Sequence, residues 1–238
     1  MKTYYRRIFT ILIQSCLLVA PDLAFPSASF QTAKKIATQL FAEHRETLYC
    51  ACKYNERKEI DLASCNMQSA NHIKRAHQME WEHMMPAENF GRHLACWQEK
   101  ICVFKDKAAK GRKCCEKTDG LFNRMEGELY NLWPAVGLIN QVRSNYRYSV
   151  LVGQGNFYGC DFKVDPQLRK AEPTNSAKGI VARANLFMAE KYNIKLSPAQ
   201  QQLFEAWNKQ FPPSPWEKQW ASKVAKIEGY QNHFIDDN

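Results

Sequence analysis

The 238-residue sequence has no internal repeat of fold-defining length, no low-complexity tract and no obvious linker, which excludes solenoids and strings of modules. It lacks an H-E-x-x-H helix, since His83 has no second His four residues away, and it lacks a G-x-S-x-G elbow. Zinc-protease and α/β-hydrolase chemistry are thereby set aside. No apolar run reaches the ~20 residues of a comfortable membrane span, the longest being Ile8 to Ala20. Acidic residues are short against basic ones, 24 against 33, for a formal net charge of +9. What is present is 45% hydrophobic and 12% aromatic content, too much for wholesale disorder and enough for one sizeable domain or two small ones.

The N-terminus decides the compartment. Lys2, Arg6 and Arg7 precede the run Ile8 to Ala20, the pattern of a signal peptide over residues 1–24, with cleavage near 24–28. The alternatives are an uncleaved N-terminal anchor and a lipoprotein site at Ser15-Cys16, past which the apolar run continues. Cutting after Ala24 removes three basic residues and Asp22 and leaves +7, so the basic character belongs to the mature domain, 29–234. Basic proteins of this size most often bind polyanions. Of the nine cysteines, Cys16 leaves with the signal. The even set Cys50, Cys52, Cys65, Cys96, Cys102, Cys114, Cys115 and Cys160 reads as disulfides in an exported chain, with connectivity open. The rival is structural zinc, which Cys50-x-Cys52 and adjacent Cys114-Cys115 match poorly.

Ser29 is placed to cap a helix to about His44, with Phe30, Ala33, Ile36, Ala37, Leu40 and Phe41 on one face. Leu48 to Tyr54 and Glu59 to Cys65 suggest a hairpin stapled by Cys50 or Cys52 to Cys65. Met79 to Met85 alternates as a strand that Pro86 ends, and 92–120 reads as a disulfide-pinned loop with a positive surface from Lys105, Lys107, Lys110, Arg112 and Lys113. Asn131 is expected at a helix entrance, with Pro134 in the first turn and Val136, Ile139, Asn140 and Arg143 continuing it. Three helices close the chain. The first spans 176–192, with Ile180, Ala184, Phe187 and Met188 in the core; Ser197-Pro198 and Ser214-Pro215 open the others, the last burying Trp216, Trp220, Val224 and Ile227. The expected class is α+β, mostly helical, in a single disulfide-stabilised domain.

The chemistry is expected at Met79 to Gly91, where His83 stands beside Glu82. An imidazole near pKa 6.5 suits a general base. A hard ion such as Mg²⁺ needs only one or two protein oxygens, which Glu82 and Asn131 would supply. Together they suit phosphodiester hydrolysis: deprotonate water, neutralise phosphate charge, stabilise the leaving oxygen. A regular strand would send Glu82 and His83 to opposite faces, so both reach one site only at a strand end or bulge. Arg143 and Arg183, on expected helices, are the candidates to hold a phosphate through a bidentate fork; an ordinary salt-bridged arginine is the competing reading of each. For His83 taken alone, a satisfied structural histidine is the ordinary reading, and Glu82, the export signal and the charge shift it. Other readings of the chain are a catalytically silent polyanion-binding protein and a basic envelope factor.

Glu80-Trp81-Glu82-His83-Met84-Met85-Pro86-Ala87-Glu88-Asn89-Phe90-Gly91 resembles the signature of the bacterial endonuclease I family, exported non-specific nucleases of the ββα-metal (His-Me finger) class. Tyr130 to Gly137, Arg143 to Tyr146, Lys170 to Pro173 and Gln202 to Pro212 resemble further family blocks in the same order. The resemblance implies a mixed α/β fold with a ββα metal motif. It implies His83 as general base and Glu82 and Asn131 holding one divalent ion, Mg²⁺ with Mn²⁺ or Ca²⁺ as substitutes, and it points to Glu116 as a further acidic site residue. It implies DNA, and often RNA, as the partner, cut to 5′-phosphate and 3′-hydroxyl ends. A monomer without stable membrane association, periplasmic or secreted, is expected. The chain departs from the family at Lys218, where relatives carry a Cys paired near the C-terminus.

Overall fold

The structure, a computed structural model, describes residues 29–236; the expected signal peptide lies outside the described residues. Helix α1 (Phe30–Leu40) is capped by Ser29, whose hydroxyl accepts from the Thr32 N–H at 3.3 Å, and it stops a turn short of His44. Strands β1 (Lys53–Tyr54) and β2 (Ile60–Asp61) form the expected hairpin, and Cys52–Cys65 is its staple. Strand β3 (Met79–His83) leads through Pro86 into α2 (Ala87–Gly91).

The segment expected as a loop holds α3 (Ala95–Gln98), a hairpin of β4 (Cys102–Phe104) and β5 (Lys107–Ala109), and α4 (Arg112–Thr118). Cys96–Cys115 and Cys102–Cys114 hold it. The hairpin turns on Lys105 and Asp106, both at positive φ, rather than on the glycine that would have announced it. Helix α5 (Gly120–Glu126) follows, capped by Asp119.

A second departure concerns Asn131. It ends a 3₁₀ turn, Leu129–Asn131, and opens a strand rather than a helix: β6 (Leu132–Val136) runs antiparallel to β3. Pro134 is tolerated because the β6 groups bonded to β3 are those of odd-numbered residues (Asn131 O from Met84 N, Gly137 N to Gln78 O), so the missing Pro134 N–H would point away. Its carbonyl accepts from Leu48 instead. The helix begins only at α6 (Gly137–Arg143), which does carry Ile139, Asn140 and Arg143.

A three-stranded sheet, β7 (Arg147–Tyr148), β8 (Lys163–Asp165) and β9 (Lys170–Glu172), has β9 in the middle, parallel to β7 and antiparallel to β8. Helices α7 (Asn175–Lys191), α8 (Pro198–Gln210), α9 (Pro215–Glu228) and α10 (His233–Asp236) close the chain. Ser197 and Ser214 cap α8 and α9 as their spacing predicts. On α9 the buried stripe runs through Glu217, Trp220, Ala221 and Val224, so Ile227 falls to its side and is exposed, and Trp216 is half-buried.

The core forms two buried clusters. The larger unites α1, β3, β6 and α6 to α9; the smaller unites Met85, Phe90, Phe122 and Met125 with the cysteines of the α3–α4 segment. All eight described cysteines are paired, the fourth bridge being Cys50–Cys160, which leaves no thiolate for the zinc alternative.

Candidate active site

The antiparallel register sets His83 opposite Leu132 and Glu82 opposite Trp133 at the last paired positions of β3. There the strand breaks: Met84 belongs to the larger core and Met85 to the smaller. At this strand end Glu82 and His83 both line one cleft of about 600 Å³.

The His83 ring is nearly buried, with its Nε2 2.8 Å from the backbone oxygen of Glu126. A carbonyl oxygen only accepts, so Nε2 carries the hydrogen and Nδ1 keeps a free lone pair. Phe30, the first residue of α1, lies 4.8 Å from the ring centroid. Burial, reinforced by the charges of Arg112, Arg143 and Lys34 against the opposing pull of the Glu126 carbonyl, holds the His83 pKa down to about 3. The imidazole is therefore neutral across the physiological range.

Glu82 is buried in a polar network. Its Oε1 accepts from the Tyr49 hydroxyl at 2.6 Å and lies 2.9 Å from Arg143 Nη1. Burial pushes the carboxyl up, while the Arg143 guanidinium and the Tyr49 hydroxyl oppose the rise. Arg143 also donates to the His83 oxygen at 2.9 Å, to the Met84 oxygen and to the Tyr148 hydroxyl at 2.7 Å. It thus braces the strand break from beneath and shares Glu82, leaving only its buried Nε without a partner among the described residues.

Asn131 sits deeper than a cleft residue. Its Oδ1 accepts from Met85 N at 2.6 Å and its Nδ2 donates to Met85 O at 3.0 Å, which pins the chain just past His83. The amide oxygen retains a second lone pair. Among the described residues no three His, Cys, Asp or Glu side chains gather as a metal cage. Two hard oxygens, one charged and one neutral, fit an ion that keeps most of its water and do not fit zinc.

Arg183 is absent from the cleft. Its Nε and Nη2 reach the two oxygens of Glu217 at 2.7 and 2.6 Å, and its Nη1 donates to the Phe211 oxygen at 2.8 Å. This buried fork ties α7 to α9, and the salt-bridged reading holds for it. In its place the cleft has Arg112, which in sequence is one of a run of cations. Half-exposed at the lip, it lies 2.6 Å from Glu126 Oε1 and 5.4 Å from the Phe30 ring centroid. Glu116 lies behind it, 3.3 Å from Arg112 Nε, and not among the cleft-lining residues. On the opposite wall Arg75 grips both oxygens of Glu80 at 2.8 Å, and Asn140 donates to Glu80 at 3.0 Å. A Cβ at Gly137 would stand 2.8 Å from Glu80 Oε1 and 2.9 Å from the Arg75 oxygen, so glycine is needed there.

The family model for endonuclease I matches residues 25–238. The chain belongs to the endonuclease I family. Among members, an extracellular deoxyribonuclease of Aeromonas hydrophila is 39% identical over 96% of this chain and 98% of its own length. A periplasmic deoxyribonuclease of the same organism is 37% identical over 92% of this chain and 90% of its own. The Endonuclease-1 of Buchnera aphidicola subsp. Baizongia pistaciae (strain Bp) is 35% identical over 95% and 91%. For this endonuclease I chain, the cleft groups that carry no local sequence signal, Arg112, Phe30 and the Glu126 carbonyl, come from 29, 53 and 43 positions away from His83, with no shared motif to betray them.

Proposed function

We propose that this chain is an exported, metal-dependent endonuclease that hydrolyses the DNA backbone, with His83 as general base. The observation that carries the reading is the Nε2–H···O=C bond from His83 to Glu126, which leaves a neutral Nδ1 as proton acceptor. His83 takes a proton from water; the water oxygen attacks phosphorus, the P–O3′ bond breaks, and the departing 3′ oxygen takes a proton from solvent, giving 5′-phosphate and 3′-hydroxyl ends. Arg112 at the lip binds a non-bridging phosphate oxygen, while Arg143 holds Glu82 and the backbone of His83 in place. Glu82 and Asn131 are the residues that would hold Mg²⁺, or Mn²⁺ or Ca²⁺ in its stead. When bound, the ion supplies charge neutralisation at the phosphate and the leaving oxygen. β3, β6 and α6 supply the strand, strand and helix of the ββα-metal motif.

The relatives' names place them outside the cytoplasm, and the four disulfides suit the same compartment for this chain. No helix among the described residues is long and apolar enough to cross a membrane. RNA is a second substrate on this reading, since backbone-directed cleavage does not consult the base. Nicking of supercoiled plasmid with Mg²⁺ and with EDTA tests the proposal. Cleavage is expected from wild type with Mg²⁺ alone and not from His83→Ala, which should still bind DNA. A wild type that binds without ever nicking is instead a polyanion-binding protein.

A further inference from the structure

A second, smaller pocket of about 340 Å³ adjoins the cleft, sharing Glu88 and Asn145 with it. Four cations line it: Arg92 from the end of α2, Arg147 from β7, Arg169 from the turn into β9, and Lys170 on β9. Their convergence is built by the fold. The parallel pairing of β7 with β9 sets Arg147 beside Lys170, and Arg147 N donates to the Arg169 oxygen at 3.1 Å. Arg169 holds a left-handed backbone, φ 52°, that a non-glycine residue adopts at a cost.

The cleft arginines Arg75, Arg112 and Arg143 each have a carboxylate. Among the described residues, none of the four pocket cations makes an ion pair. The single carboxylate in the lining, Glu88, receives the Asn145 amide, whose oxygen accepts from Arg169 Nη2 at 2.7 Å. A cluster of four unneutralised cations around one concavity is self-repulsive unless an anion enters.

We propose that this pocket binds a non-scissile phosphodiester of the substrate strand, fixing the path of the backbone as it leaves the cleft. Asn145 marks the threshold, two residues after Arg143 under the reacting centre and two before Arg147. The inference rests on the nuclease reading and adds to it a second backbone contact.

Arg147→Ala/Arg169→Ala tests it against Arg147→Lys/Arg169→Lys. Binding of a fluorescent single-stranded 20-mer is measured in EDTA over a salt series, and kcat/KM is then measured in Mg²⁺ on that strand and on a short chromogenic phosphodiester. The alanine pair should lower the salt slope by about 0.7, the value for one phosphate contact on a single strand, and the lysine pair should keep it. The ratio of kcat/KM on the long strand to that on the short diester should fall about tenfold through KM. If wild type cuts the strand and the alanine pair retains its slope and ratio, the subsite is overturned and the nuclease reading stands. If wild type fails to cut the strand, the nuclease reading falls and the subsite falls with it.

Discussion

His83 owes its proposed role to what surrounds it rather than to its own pKa. An exposed histidine would be mostly protonated, and so unable to accept a proton, below pH 6.5, whereas here burial and three cations keep the ring neutral well below that pH. His83→Ala is expected to lower kcat by about 10²–10⁴ with DNA binding retained. In wild type the acid limb of kcat/KM due to this residue should lie well below pH 6.5, since the folded pKa is about 3; a limb centred at 6.5 would contradict the environment described. The same depression has a stability sign. The unfolded chain binds the proton first, so His83 destabilises the fold as pH drops from about 6.5 toward 3. The arginines divide along a different line. Arg183→Ala strands the buried Glu217 carboxylate and should cost about 3–5 kcal/mol in denaturant unfolding, with the folded enzyme still active. Arg112→Ala should do the reverse: activity falls by about tenfold or more while the midpoint moves little, because Glu126, whose pKa burial already pushes to about 7, takes up a proton when its partner leaves.

The 3₁₀ turn that delivers Asn131 to the Met85 backbone is held by a carboxylate with an unusual proton affinity. Glu128 accepts from Tyr130 N at 3.1 Å and from the hydroxyls of Tyr192 and Tyr230 at 2.8 Å each, joining α7 and the end of α9 to the turn. Burial, then the nearby Glu228 charge, pushes its pKa up to about 7 from an ordinary 4.5. The unfolded chain releases this proton before the folded one does, so stability present below 4.5 is lost as pH rises toward 7. Thermal melts of wild type and Glu128→Gln across that window should converge at the acid end and separate with pH, the glutamine variant being the less affected; parallel curves would refute the account. Elements with local signals were legible without coordinates. Ser197-Pro198 and Ser214-Pro215 announce their helices because cap and first turn are neighbours in sequence, and Glu82-His83 announces the site because the two groups are adjacent. The β6 strand was not legible. Pro134 is as well suited to a first helical turn as to the outward side of a strand, and only β3, some fifty residues earlier, settles the matter. The β4–β5 hairpin failed for want of a glycine turn, and Arg112 and Phe30 because their meeting over His83 is entirely tertiary.

Across the whole molecule the cleft lies on the seam between two cores. Glu82 and Arg143 belong with the larger, whereas Arg112 and the Glu126 carbonyl come from segments of the smaller, and the chain crosses between Met84 and Met85. The smaller core is thin: four of its ten members are cysteines, joined as Cys96–Cys115 and Cys102–Cys114. A cluster so poor in large apolar side chains depends on its cross-links in a way that the larger one does not. Five of the six tryptophans, all except Trp97, sit in or against the larger core, so tryptophan fluorescence reports mainly on that half. Cys96→Ala/Cys115→Ala should therefore lose nuclease activity at a urea concentration below the fluorescence midpoint, because the Glu126 carbonyl and Arg112 move away from His83 while the tryptophan core still stands. Wild type, with both staples in place, should show the two transitions together. Coincident transitions in the variant would mean that the two clusters melt as one unit and that the seam is not a boundary of local stability.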